Sequence, residues 1–123
     1  MNREIKFRAY DNKTNKVYEV ENIYIQDEYL SLVVGEFNEG NTIKRRISEV
    51  ELIQYTGLKD KNGKKIYEGD IVKNYWSMNN EVVKYMGVTF MTENMYEESA
   101  VVNLEECEVI GNIYENPELC EKK

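Results

Sequence analysis

The chain contains no histidine and only two cysteines among its 123 residues. Histidine is the usual general base of serine and cysteine hydrolases and the commonest transition-metal ligand, so its absence weighs against both kinds of site. Cys107 and Cys120 lack CxxC spacing, and two thiolates alone do not complete a zinc site. The sequence also has no phosphate-binding loop, no GxGxxG and no nucleophile elbow. We therefore expect no enzyme activity, no cofactor and no metal.

Long apolar runs are missing as well. No stretch approaches the roughly 20 apolar residues that a membrane-spanning helix needs. The first residues, MNREIKFRAY, are charged where a signal peptide would have an apolar run. We therefore expect a cytoplasmic protein whose two cysteines stay reduced. Pro117 is the only proline, and no segment is rich enough in proline or glycine to be a linker, so the two halves should pack together.

Positive charge is scarce in the second half of the chain. Residues 74–123 contain three basic and ten acidic side chains, so this segment accounts for the whole net charge of −7. Such a field repels a phosphate backbone, which supplies most non-specific nucleic-acid affinity. A nucleic-acid partner is therefore disfavoured.

Short strands dominate the first half. In Glu4–Tyr10, apolar Ile5, Phe7 and Ala9 alternate with polar neighbours, which is the period of a half-buried strand. Further strand-like segments are Lys16–Val20, Asn22–Ile25, Tyr29–Val34 and Thr42–Ile47. Ser48 and Glu51 have capping-box spacing, which predicts a short turn or 3₁₀ helix before a strand that ends at Thr56.

Residues 54–72, QYTGLKDKNGKKIYEGDIV, contain the strongest turn signals in the chain. Asn62-Gly63 predicts a type I′ hairpin, since both central positions of that turn need positive φ. Asp60 can help to reverse the chain by bonding nearby backbone groups. Gly69 predicts a second reversal before the strand that starts at Ile71. We interpret these residues as structural turns, with a binding loop as the alternative.

Five short strands with a turn before the last one are predicted after this motif. They are Ile71–Trp76, Glu81–Met86, Val88–Met91, Ser99–Leu104 and Glu108–Tyr114, with an acidic loop at Thr92–Glu98 and a helical turn at Leu104–Cys107. Strands of this length and spacing suit a small closed barrel. We therefore predict a mainly β protein, in which residues 1–56 form an antiparallel β subdomain, residues 57–119 a small β-barrel and residues 120–123 a disordered tail.

Three segments resemble the YopX family, small proteins found mostly in phages and prophages of bacteria. They are REIKFRAYDNKTNKVYEV at residues 3–20, the central motif at 54–72, and CEVIGNIYENPEL at 107–119. The resemblance implies a mostly β fold whose second half is an SH3-like barrel, and a bacterial host cell as the location. It implies no activity, substrate or catalytic residue.

Ten tyrosines make the chain unusually rich in this residue. Tyrosine is enriched at protein interfaces, and it is also an ordinary residue of half-buried strands. Tyr67, Tyr75, Trp76 and Tyr85 flank the expected open end of the barrel, where such aromatics bind peptides or stack bases. Packing within the sheet is the alternative for these four. Our first hypothesis is a non-enzymatic, protein-binding accessory module made by a phage or prophage.

Two other functions remain open. The first is a nucleic-acid-binding barrel. Its binding residues would be the one basic cluster, Lys44, Arg45 and Arg46, together with nearby aromatic side chains. Alternatively, the acidic second half imitates a phosphate backbone and occupies a host DNA-binding protein through Glu105, Glu106 and Glu108. Glu68 with Asp70 is the other tight group of carboxylates. Glu106 and Glu108 would share a face of a strand and could bridge a hard cation, but solvated charge explains these carboxylates better.

The run from Leu30 to Val34 is apolar on both faces of a strand. A sheet with one solvated face needs apolar side chains on only one of them. We therefore predict a homo-oligomer, most simply a dimer, with the N-terminal half at its centre. The alternative is that the protein covers both faces itself.

Overall fold

The computed structural model describes residues 4–35, 41–75, 78–85, 90–94 and 104–120. These residues form strands and three short 3₁₀ helices, with no α-helix among them, and all strand pairs are antiparallel. None of the described helical segments has the length and apolar character needed to cross a membrane. The strands are β1 (Phe7–Asp11), β2 (Lys16–Tyr24), β3 (Tyr29–Val33), β4 (Thr42–Arg46), β5 (Val50–Lys59), β6 (Lys65–Tyr67), β7 (Asp70–Asn74), β8 (Asn79–Tyr85), β9 (Phe90–Asn94) and β10 (Glu108–Asn112). The prediction of a mainly β, antiparallel fold is confirmed.

The chain divides within β5 into two compact units. One comprises Lys6–Gln54, and the other comprises Tyr55–Lys123 together with Met1–Ile5. The domain boundaries proposed from the sequence, 1–56, 57–119 and 120–123, stay predictions.

In the first unit, strands pair in the order β4-β3-β2-β1-β5. Because side chains alternate across a strand, one face of this sheet carries the apolar set and forms a core. That core contains Ala9, Leu30, Leu32 and Val50. The segment predicted as two strands, 16–20 and 22–25, is one continuous strand, β2, with a bulge between Val20 and Asn22.

The 3₁₀ helix before β5 spans Ile47–Glu49. The expected short helical piece is confirmed, but the predicted Ser48–Glu51 capping box is wrong. The Arg46 N–H donates to Glu49 Oε1 at 2.9 Å, so the helix begins two residues earlier than that box requires. Ser48 lies inside the helix, and Glu51 lies in β5 opposite Tyr10 of β1.

In the second unit, β6 pairs with the last part of β5, and a separate sheet has the order β10-β7-β8-β9. The core of the second unit contains Ile66, Val72, Val83, Leu104 and Cys107. Among the described residues no strand pair joins β10 to β9, so closure into an SH3-like barrel is not observed.

The predictions for residues 92–107 have different outcomes. Residues 92–94, expected in an acidic loop, belong to β9, which pairs with β8. The tight turn predicted at Leu104–Cys107 is confirmed, since Leu104–Glu106 is a 3₁₀ helix and the Cys107 N–H donates to the Leu104 carbonyl at 3.1 Å. Residues 95–103, which include most of a predicted strand, lie outside the described residues.

Candidate protein-binding surface

The loop between β5 and β6 is organised by Asp60. Its carboxylate oxygen Oδ1 accepts the N–H groups of Asn62 at 2.8 Å and Lys64 at 2.9 Å. The Asp60 N–H donates to the Lys64 carbonyl, and the Gly63 N–H donates to the Asp60 carbonyl. Only Gly63 has positive φ in this loop, at 82°, so the predicted type I′ turn at Asn62-Gly63 is wrong. The reversal starts earlier, because the Asp60 side chain bonds the loop backbone as expected.

Asp60 also fixes the loop to β10. Its second carboxylate oxygen accepts the Val109 N–H at 2.9 Å, and the Lys61 N–H donates to the Cys107 carbonyl at 3.0 Å. Burial of Asp60 by itself raises the pKa of the carboxyl, but the three backbone N–H groups outweigh it and hold that pKa below its ordinary value. The carboxylate is therefore a buried anchor with its charge stabilised by the backbone.

Next to this anchor, Lys61, Tyr75 and Glu108 form a surface cluster. The Tyr75 hydroxyl donates to Glu108 Oε2, and Lys61 Nζ lies 3.9 Å from the centroid of the Tyr75 ring. Lys61 Nζ is also 3.9 Å from Glu108 Oε2. The hydrogen bond to Glu108 raises the pKa of Tyr75. The Tyr75 side chain is thus held in one place although the residue is 44% exposed.

A shallow groove of about 440 Å³ borders this cluster. Its lining residues come from the end of β5, the loop after it and the 3₁₀ helix before β10, and they are Tyr55, Gly57, Leu58, Lys59, Asp60, Lys61 and Glu105. Lys61 belongs to both the groove and the cluster. We call the groove together with Tyr75 and Glu108 the hairpin surface. Leu58 is 38% exposed, so this surface presents an aliphatic and an aromatic side chain between charges of both signs.

The four aromatic residues predicted to bind protein have different positions. Tyr75 belongs to the hairpin surface. Tyr67 is only 1% exposed, and its ring packs against the cross-strand ring of Tyr55 with centroids 5.4 Å apart. A partner cannot reach Tyr67 here, so it takes the packing role that was the alternative. Trp76 lies outside the described residues, and for Tyr85 only the backbone, in β8, is described.

The basic cluster Lys44, Arg45 and Arg46 is divided between the two faces of β4. Arg45 points inward, and its Nε donates at 3.0 Å to Asp11, whose side chain is fully buried. Lys44 Nζ lies 3.8 Å from the centroid of the Tyr29 ring, which stacks on Tyr24 with centroids 4.5 Å apart. Only Lys44 and Arg46 are exposed, so the three charges do not form one positive surface. Nucleic-acid binding by this cluster stays a prediction.

The acidic residues predicted to imitate DNA are also not equivalent. Glu105 and Glu106 are exposed in the 3₁₀ helix before β10, whereas Glu108 is half-buried and bound to Tyr75 and Lys61. Its charge is partly compensated, which weakens the imitation of a phosphate row. Within the described part of the chain, no three His, Cys, Asp or Glu side chains are grouped as metal ligands.

Sequence reasoning missed Leu58 and Lys61, and it considered Glu108 for other roles but not as a partner of Tyr75. Tyr75 and Glu108 are 33 residues apart in sequence. They meet because β10 pairs with β7 so that Glu108 lies opposite Lys73, two positions before Tyr75. Alternation then puts Glu108 and Tyr75 on one face. A predicted β7–β10 pairing with its register would have been the signal.

The comparisons with known proteins agree with this fold. The family model described as YopX protein matches residues 6–121. The crystal structure of protein EF1440 from Enterococcus faecalis is similar, with a TM-score of 0.62 and 26% sequence identity, over 98% of this chain and 100% of that chain. None of the curated proteins that were compared matches the chain. The chain belongs to the YopX protein family.

Proposed function

We propose that the protein is a non-enzymatic accessory module of a phage or prophage that binds another protein through the hairpin surface. One observation carries the proposal: the exposed Tyr75 ring is held beside a groove by Lys61 and Glu108. A fixed aromatic side chain loses little conformational entropy on binding, which is why tyrosine is frequent at interfaces.

The composition of the hairpin surface favours a protein partner over a small molecule. The groove is shallow and open, whereas small-molecule sites enclose most of their ligand. Leu58 and Tyr75 supply apolar contact area, and Lys59, Lys61, Glu105 and Glu108 supply charges of both signs on the same surface. An apolar centre bordered by charges of both signs is the usual composition of a protein interface.

A pull-down from bacterial host lysate with quantitative mass spectrometry tests the proposal. We compare the wild-type protein with Tyr75→Ala and Leu58→Ser, and we use Glu118→Ala, an exposed change elsewhere in the same unit, as the control. A specific partner should be retained by wild type and control and depleted about tenfold or more by the two surface variants, as expected when an interface loses a central anchor. Recovery of nucleic acid without a protein partner would refute the proposal.

The SH3-like barrel belongs to the same proposal, since small β-barrels of that kind bind peptides beside their loops. The described sheet has β10 and β9 as its two edges. Cross-strand nuclear Overhauser effects that connect these edges, directly or through a further strand, would establish a barrel. Their absence in a fully assigned spectrum would mean an open sheet.

Self-association through the N-terminal half also remains a proposal, but the residues proposed for the interface change. Leu30 and Leu32 are 1% and 0% exposed, so they pack in the protein's own core and are not available to a second chain. Val34 is only half-buried and is the better interface residue. Sedimentation equilibrium at micromolar concentration should show a dimer that Val34→Glu weakens, whereas a single species near 14.6 kDa would refute self-association.

A further inference from the structure

Strand β4 is an edge strand of the first unit, and part of its backbone faces outward. In an antiparallel pair, residues alternate between those bonded to the partner strand and those whose N–H and C=O point away. The Val34 N–H donates to the Asn41 carbonyl and the Ile47 N–H donates to the Glu28 carbonyl, so the bonded positions of this strand are the odd-numbered ones. The backbone groups of the even-numbered residues, Thr42, Lys44 and Arg46, therefore point away from β3.

Thr42 and Lys44 contribute three outward groups that have no partner among the described residues. The Arg46 N–H donates to Glu49, and the Lys44 carbonyl accepts Nη1 of Arg45. The N–H groups of Thr42 and Lys44 and the Thr42 carbonyl remain. These groups are positioned to form hydrogen bonds with the backbone of a further strand beside β4.

The side chains of the same three residues lie on one face of β4 and are exposed. Two residues along a strand span about 6.8 Å, so Lys44 and Arg46 place positive charges at that interval. An extended peptide has the same interval between alternate side chains. Glutamate or aspartate at every second position would therefore meet both charges while its backbone pairs with β4.

We propose that the outer edge of β4 binds an extended acidic segment of a partner protein as an added antiparallel strand. The backbone of Thr42 and Lys44 supplies the hydrogen bonds, and Lys44 and Arg46 select glutamate or aspartate at alternate positions. This site is distinct from the hairpin surface and does not depend on it.

Charge decides against two other occupants. A second copy paired by a two-fold axis would bring Lys44 and Arg46 against the same residues, and like charges directly opposite destabilise a sheet. A phosphate backbone needs a continuous positive stripe, but Glu21 Oε1 lies on this face within 3.3 Å of Ser31 Oγ, and Ser31 is opposite Lys44.

The test uses a blocked synthetic peptide that alternates glutamate with threonine, titrated into ¹⁵N-labelled protein. On binding, the Thr42 and Lys44 amides should shift and exchange with solvent more slowly by tenfold or more. The matched lysine–threonine peptide should not bind, and an oligothymidylate of similar length should not bind either. Lys44→Gln should weaken the acidic peptide severalfold, whereas Lys16→Gln, which removes an exposed charge from β2, should not.

Backbone methylation of the peptide identifies the binding mode without altering the protein. In an antiparallel pair, the residue opposite Lys44 that shares its face also directs its N–H toward β4. Methyl groups on the glutamate nitrogens should therefore abolish binding, and methyl groups on the threonine nitrogens should leave it intact. The reverse result, equal effects of both patterns, equal binding of the lysine peptide or the oligothymidylate, or no binding at all would each overturn the proposal. In the last case the charges of β4 serve only to prevent edge-to-edge pairing.

Discussion

Replacing Asp60 by alanine should destabilise the second unit. The carboxylate accepts three backbone N–H groups, two within its own loop and one from Val109 of β10. Asp60 is 5% exposed, so its carboxylate is almost entirely shielded from water in the folded protein.

The magnitude follows from what each donor loses. A hydrogen bond to a charged group contributes roughly 1.5–3 kcal/mol, and a buried donor left without an acceptor costs about 1–3 kcal/mol. Asn62 and Lys64 are exposed, so their N–H groups can bind water in the variant, whereas the Val109 N–H belongs to the β10 edge that the loop covers. We therefore expect Asp60→Ala to lower the free energy of unfolding by about 2–4 kcal/mol.

Urea unfolding followed by circular dichroism measures this loss. With a slope of about 1–3 kcal/mol per molar urea, the midpoint should fall by at least about 0.7 M. Asp27→Ala is the matched control, because it removes an exposed aspartate from another turn, and it should change stability by less than about 0.5 kcal/mol. If the free energy of unfolding of Asp60→Ala lies within about 0.5 kcal/mol of the wild-type value, the anchor role is wrong.

The depressed pKa of Asp60 gives the same prediction a pH dependence. Because the folded-state pKa lies below the unfolded value, the stabilisation is complete above about pH 4 and is lost as the pH falls through the folded-state pKa. Wild type should therefore lose its advantage over Asp60→Ala in acid. A constant difference between pH 7 and pH 2 would contradict this.

Three further predictions concern other buried groups. Arg45→Met should cost about 3 kcal/mol, because it leaves the fully buried Asp11 carboxylate without its cation, and urea unfolding should show it. Gly69→Ala should cost more than about 1 kcal/mol by the same assay, since φ is 85° and the new Cβ would lie 2.9 Å from the Tyr114 ring; a neutral result would contradict the strain at this φ, which a shift of Tyr114 cannot relieve. Burial raises the pKa of Cys107 to about 11, so in a thiol-reagent assay at pH 8 it should react only on unfolding; fast modification in the native protein would refute its burial.

The fold class was accessible from the sequence because its signals are local. Alternation in Phe7–Asp11 and the reversal around Asp60 and Gly69 depend on neighbours in the chain, and the structure contains both. The type of the hairpin turn was not accessible from Asn62-Gly63 alone. The Asp60 side chain bonds the loop backbone and competes with the backbone preference of that pair.

The candidate surfaces depend on register, which local patterns do not specify. Nothing near Tyr75 indicates that Glu108 will lie beside it, and nothing near Arg45 indicates that its charge is bound to Asp11. In the same way, Tyr67 and Tyr75 look alike in sequence, yet one is buried and the other exposed. Tyr75 and Glu108 are 33 residues apart and Arg45 and Asp11 are 34 apart, and a single sequence does not reveal pairings over such distances.

Site-specific photo-crosslinking tests the central claim, protein binding at the hairpin surface, most directly. A photoreactive amino acid is placed at Leu58 in the groove or, as the control, at the exposed Glu118, and the protein is irradiated in nuclease-treated host lysate. Our account predicts one discrete protein adduct from position 58, lost when Tyr75 is also changed to alanine, and none from position 118. Equal adducts from both positions, or an adduct at 58 that is indifferent to Tyr75→Ala, would contradict it.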